Sequence, residues 1–132
     1  MHENEIAQHV VDVAYRIHTQ LGPGLLESVY RVILWHELQK RGLAVEKEVP
    51  IPLQWEGLKF EEAFRADLIV ERKLIVELKS ITDLAAVHKR QLLTYLRLTG
   101  FRLGLLINFG EARIRDGIVR VVNGLEDKTA QA

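Results

Sequence analysis

Arg65-Ala66-Asp67-Leu68-Ile69-Val70-Glu71-Arg72-Lys73-Leu74-Ile75-Val76-Glu77-Leu78-Lys79 consists of two apolar runs broken by the charged dipeptide Glu71-Arg72. It reads as two strands, 65–70 and 73–79, joined by a short turn. Side chains alternate along a strand, so Leu74, Val76 and Leu78 share one face while Ile75, Glu77 and Lys79 share the other. A carboxylate and an ammonium therefore project side by side. Asp67 lies within an apolar segment, where an unpaired charge facing a core is expensive. If the two strands pair through the turn, Asp67 and Glu77 converge on one cation, and such hard oxygen ligands suit Mg²⁺ or Mn²⁺ rather than zinc. Taken singly, the same residues have plainer readings. Glu77 and Lys79 could be an i,i+2 salt-bridged pair at a strand edge, and Asp67 a strand-end residue bonding backbone amides.

Upstream, apolar residues recur at Ile6, Val10, Val13, Ala14, Ile17 and Leu21, which predicts an amphipathic helix over 5–20. Gly22-Pro23-Gly24 breaks it, and Leu26, Val29, Tyr30, Ile33, Leu34 and Leu38 mark a second helix over 25–41 that stops at Gly42. The period then changes to two. Val45, Val49, Ile51 and Leu53 alternate with polar residues, Glu56-Gly57 supplies a turn, and 58–64 returns as the second arm of a hairpin. Downstream, Thr82 or Asp83 could cap a third helix carrying Leu84, Val87, Leu92, Leu96 and Leu98 and ending near Gly100. Residues 101–109 form a nearly continuous apolar run, as expected of a strand covered on both faces, and 114–122 forms a last strand or hairpin arm. This order predicts an α/β sandwich with helices on both sides of a mixed sheet.

With 132 residues, 48% of them hydrophobic and 27% charged, the chain can bury one core and is too short for two ordinary domains. No apolar run approaches the roughly 18 residues of a membrane helix. The start Met1-His2-Glu3-Asn4-Glu5 does not have the order of a signal peptide, and there is no cysteine for a disulfide or a thiolate zinc site, so a cytoplasmic address is expected. Eighteen basic and eighteen acidic residues cancel, but unevenly. Residues 1–83 hold fourteen acids and ten bases, net −4, whereas 84–122 hold two acids and seven bases, net +5. Between Leu84 and Gly110 there is no carboxylate, while Lys89, Arg90, Arg97 and Arg102 supply positive charge that reads either as a solvated face or as a phosphate-facing patch.

The chain resembles the PD-(D/E)XK nuclease superfamily, and within it the GxxExxY family. Gly24-Leu25-Leu26-Glu27-Ser28-Val29-Tyr30 is similar to the signature naming that family, with His18 and Leu21-Gly22-Pro23 as its lead-in. Ala66-Asp67 and Glu77-Leu78-Lys79 fall where the superfamily has its Asp and its E-x-K. Gln91-Leu92-Leu93-Thr94-Tyr95 is similar to the Q-x-x-x-Y helix of RecB-like nucleases. One departure is Ala66, which stands where the superfamily's name has proline. The resemblance implies a restriction-endonuclease-like core of order ααβββαββ over 1–125, with a polar tail at 126–132. It implies a metal-dependent nuclease, acting on DNA, in which Glu27, Asp67 and Glu77 bind Mg²⁺ or Mn²⁺. Lys79 positions or activates the attacking water, and Gln91 belongs to the catalytic group.

Several of these residues carry a second reading. Glu27 could instead answer the dipole at a helix start. Gln91, on the helix row of Val87 and Tyr95, is expected to seek partners on the active-site face of the sheet. His18, Tyr30 and Tyr95 are candidates for support around the metal, with a helix C-terminal cap as the alternative for His18 and a core aromatic with one hydroxyl bond for the tyrosines. His2, His9, His36 and His88 form no i,i+4 metal pair and read as surface or packing residues. Lys89, Arg90, Arg97 and Arg102 are candidates for backbone contact with nucleic acid. The contrasting function is a non-catalytic module, binding nucleic acid or protein on a retained nuclease fold. Because the domain is small, a duplex substrate suggests two copies, hence a homodimer. The Gly22-Pro23-Gly24 loop lacks the spaced glycines and the lysine of a P-loop.

Overall fold

The three-and-four spacing near the N-terminus folds as α1, Glu3–Leu21, which buries Ile6, Val10, Val13, Ala14 and Ile17. The His2 ring accepts the Asn4 N–H at 3.0 Å to start the helix, and Gly22 ends it at φ 68°, a backbone conformation that glycine adopts without strain. Helix α2, Glu27–Lys40, buries Tyr30, Leu34 and Leu38, one residue per turn. The computed structural model describes residues 1–126. Its elements continue as β1 (Val45–Trp55), β2 (Leu58–Val70), β3 (Leu74–Lys79), α3 (Ala86–Thr99), β4 (Leu103–Asn108) and β5 (Ile118–Val122).

The five strands form one sheet in the order β1-β2-β3-β4-β5. β3 and β4 run parallel, joined across the sheet by α3, and the other neighbours are antiparallel. Helices α1 and α2 cover one face through Leu68, Val70, Leu74, Val76, Leu78, Leu105 and Ile107. Helix α3 covers the other through Ile75, Leu92, Leu96 and Leu106. A mixed sheet between helices, in the order ααβββαββ, is the architecture expected from the sequence. The buried β4 also agrees, since all six of its residues are inside. No helix among the described residues is long and apolar enough to cross a membrane.

Three local expectations are corrected. The second hairpin arm and the strand expected from 65 are one continuous strand of 13 residues, because β2 pairs with β1 almost throughout and with β3 only over its last residues. Helix α3 begins at Ala86 rather than beside Thr82 or Asp83: the His88 ring accepts the Ala85 N–H at 3.0 Å and makes the first turn. Residues Ile114–Gly117 form a 3₁₀ turn, so β5 starts only at Ile118. Leu125 packs into the core, so the polar tail expected at 126–132 starts beyond it. The rest of that tail, from residue 127, lies outside the described residues.

Candidate active site

The antiparallel pairing of β2 with β3 runs Val70 with Leu74, Ile69 with Ile75 and Leu68 with Val76, and then stops. Beyond that point the Leu78 N–H donates not to a strand carbonyl but to Asp67 Oδ2, at 2.8 Å. The Asp67 carboxylate thus wedges the two strands apart at the carboxyl end of β3. Its other oxygen faces Arg31 of α2, with Nη1 3.4 Å away, and Arg31 Nη2 donates to Glu48 Oε1 at 3.0 Å. Glu48 sits at φ 52°, an unfavourable backbone conformation for a non-glycine residue, in the stretch of β1 opposite Asp67. The backbone-amide reading of Asp67 is therefore realised, and a carboxylate partner accompanies it.

That partner is Glu77. Its carboxyl lies within hydrogen-bonding reach of Asp67, and burial, then that contact and the Asp67 charge, push its pKa up to about 9. Glu77 Oε1 is buried with no hydrogen-bond partner, an arrangement that is costly unless a proton or cation satisfies it. Glu27, in the first turn of α2, also has a raised pKa, chiefly through burial and then through Asp67, while Lys79 and Arg31 pull it back. Tyr95 is raised by burial and by the charges of Glu77 and Asp67. Asp67, Glu77, Glu27, Lys79 and Tyr95 therefore share one electrostatic neighbourhood built from β2, β3, α2 and α3.

The donors fit a hard divalent cation. Two carboxylates face each other, and one buried oxygen lacks a partner that a metal would provide. The expected trio is not assembled as a cage, however. Among the described residues no group of three His, Cys, Asp or Glu side chains able to hold a metal forms. The physical reason is visible at Asp67, whose oxygens are directed to the Leu78 N–H and to Arg31.

Lys79 and Glu77 line a cavity of about 30 Å³ with His88, Gln91 and Tyr95 beneath α3. This has room for one or two waters and not for a nucleotide. Gln91 is exposed at its rim, rather than on the apolar helix face expected of its row, and Val87 is also exposed. Tyr95 stacks on Phe64, with ring centroids 3.8 Å apart. Tyr30 is fully buried, stacks on Phe109, donates its hydroxyl to the Gly22 carbonyl at 2.6 Å and accepts the Leu25 N–H at 3.2 Å. The core reading of Tyr30 thus holds, with a second task of clasping the α1–α2 loop. His18 lies 2.8 Å from the Glu111 carbonyl through Nε2, which must donate, so it ties α1 to the segment after β4.

Lys89, Arg90 and Arg97 lie exposed on α3, the first two beside His88 and Gln91. Arg102 is not brought to the site. It precedes β4 at the opposite end of the sheet and grips Glu3 through Nε and Nη2 at 2.8 and 3.0 Å. The sequence reading gave no site role to Arg31, Glu48, His88 or Asn108. Arg31 stands four positions after Glu27, one helical turn along the same face, a spacing that could have revealed it. His88 was read only as a surface or packing residue. Asn108, fully buried at the end of β4, accepts the N–H groups of Ile81 and Gly110 and donates to the Ile81 carbonyl, all within 3.0 Å.

The family described as the PD-(D/E)XK nuclease superfamily matches residues 4–121. No curated protein and no solved structure matches the chain.

Proposed function

The chain belongs to the PD-(D/E)XK nuclease superfamily, and on that premise we propose that it is a metal-dependent nuclease hydrolysing phosphodiester bonds in DNA. The observation that carries this reading is the half-buried Asp67–Glu77 pair, with a buried, unsatisfied oxygen on Glu77, at the point where β2 and β3 part. Asp67 and Glu77 would hold Mg²⁺ or Mn²⁺, with Glu27 as a third carboxylate at the same centre. Bound there, the cation supplies Lewis-acid chemistry, polarising the phosphate and lowering the pKa of an attacking water. The chain's own groups do the remainder. Lys79 is an oriented cation for charge developing on the phosphate, and the Gln91 amide at the cavity rim orients the water. Tyr95 lends its ring to the wall beside Phe64, and Lys89, Arg90 and Arg97 offer backbone contacts on α3. Glu27 and Tyr30 fit the narrower GxxExxY assignment, with Glu27 toward the carboxylates and Tyr30 holding the loop before it.

The test is cleavage of labelled DNA in Mg²⁺ by wild type and by Lys79→Ala, with binding measured alongside. Cleavage lost and binding kept in the variant is the expected outcome. Binding without cleavage by the wild type would instead assign the fold to a non-catalytic module. If the substrate is duplex, one copy per strand is needed, and light scattering of the complex should show the mass of the duplex plus two copies of the 15.1 kDa chain; a single copy on duplex would refute that arrangement.

A further inference from the structure

The cavity under α3 is too small for substrate, but a second cleft beside it is not. It has a volume of about 490 Å³ and lies at the carboxyl end of the parallel strands, between the α1–α2 loop and the segment linking β3 to α3. Open α/β sheets bind their ligands at this end. Its walls are Gly24, Leu25 and Leu26 on one side and Ser80, Ile81 and Thr82 on the other. Glu27 directly follows Leu26, Lys79 directly precedes Ser80, and Lys79 is close enough to Glu27 to bias its ionisation. The cleft therefore adjoins the carboxylate centre.

Both walls are fixed from behind by fully buried side chains. Tyr30 bonds Gly22 and Leu25 on one side, while Asn108 holds both the N–H and the carbonyl of Ile81 on the other. Ser80 Oγ ties the walls together by donating to the Leu25 carbonyl at 2.7 Å. Gly110 closes the base so tightly that a Cβ there would meet the Ile81 carbonyl oxygen at 2.0 Å. A preformed cleft with a mixed, uncharged lining, somewhat more apolar than polar, can receive a small ligand. Leu26 remains 74% exposed at its mouth, with Leu25 and Ile81 about 40% exposed.

We infer that this cleft receives an unpaired nucleobase next to the scissile phosphate, and that the substrate is single-stranded or locally unpaired DNA. The inference rests on reading the Asp67–Glu77 centre as a nuclease site. The lining carries no charge, which suits a base rather than a phosphate, while the phosphate itself falls beside Lys79. Leucine and isoleucine are side chains that proteins place between or against unstacked bases, and the Thr82 hydroxyl offers a hydrogen bond to a base edge. A paired base cannot enter a recess walled on both sides without leaving its stack.

The experiment uses fluorescence anisotropy of labelled dT20 and of a 20-base-pair duplex, with Ca²⁺ replacing Mg²⁺, for wild type, Leu26→Ser and Leu26→Phe. Leu26 is exposed, so neither variant threatens the core. The expected result is at least tenfold tighter binding of dT20 than of duplex. Leu26→Ser should lose about tenfold on dT20 and little on duplex, and Leu26→Phe should retain wild-type binding. An rU20 arm reports whether the sugar matters. Equal affinity for strand and duplex, no binding of dT20, or equal losses on both in Leu26→Ser would overturn the inference. A separate Mg²⁺ cleavage assay keeps the two proposals apart. Cleavage of duplex with no effect of Leu26→Ser leaves the nuclease standing and removes the base site, whereas strand-selective binding without cleavage removes the nuclease.

Discussion

Replacing Glu77 by glutamine should make the metal-free protein more stable at alkaline pH, the opposite of what removal of a buried hydrogen-bonding group usually does. Glu77 is buried against Asp67, and its pKa is pushed from 4.5 up to about 9. The native state thus holds a proton that the unfolded chain releases, and between those values wild-type stability falls as pH rises. One proton sets a maximum slope of about 1.4 kcal/mol per pH unit, hence a ceiling of about 4 kcal/mol between pH 5 and pH 8. Glutamine is neutral throughout and can donate its amide to Asp67. Urea unfolding in EDTA at pH 5, 6, 7 and 8 should show a stability loss in wild type that is largely absent in Glu77→Gln, with the variant ahead by about 1–4 kcal/mol at pH 8. A smaller slope remains in both proteins from Glu27, which shifts the same way. Saturating Mg²⁺ should flatten the wild-type profile by displacing the proton, with little effect on the variant. Parallel profiles for the two proteins, or a wild type indifferent to pH, would refute the reasoning.

Other perturbations follow from the same geometry. Mg²⁺ or Mn²⁺ at about 100 times its dissociation constant should stabilise wild type by about 2.7 kcal/mol, seen as a rise in Tm, and should not stabilise Asp67→Asn; equal shifts would count against the site. Asn108→Ala strands backbone groups of Ile81 and Gly110 and should cost about 2–4 kcal/mol in urea unfolding, against about 1–2 kcal/mol for Tyr30→Phe, which keeps its stacking on Phe109. Lys89→Ala should reduce the salt dependence of DNA binding by about one phosphate contact, whereas Arg102→Ala, whose guanidinium is already engaged by Glu3, should leave that slope unchanged.

The fold was legible where one period dominates. The helical rows of α1 and α2 and the unbroken apolar run of β4 each leave one way to bury their residues. Boundaries set by tertiary contact were not legible. Nothing local joins 58–64 to 65–70; pairing with β1 makes them one strand. Nor does Thr82 look a poorer cap than the His88 ring until the turn before α3 is known. Within the site, the ten-residue gap between Asp67 and Glu77 announced their meeting because an antiparallel turn must bring them together. Glu48 and Asn108 arrive from β1 and β4, and their roles depend on packing between elements distant in sequence. Arg102 shows the converse. Its carboxylate-free stretch reads either as a solvated face or as a phosphate-facing patch, and neither shows that its partner is Glu3, 99 positions away.

The most direct trial is to incubate labelled single- and double-stranded DNA and RNA with Mg²⁺ or Mn²⁺, and to compare wild type with Glu77→Ala. Metal-dependent strand scission by wild type, abolished in the variant while the protein stays folded, is the predicted result. Cleavage that persists in Glu77→Ala, or that proceeds equally in EDTA, would contradict a hydrolytic centre built on the Asp67–Glu77 pair.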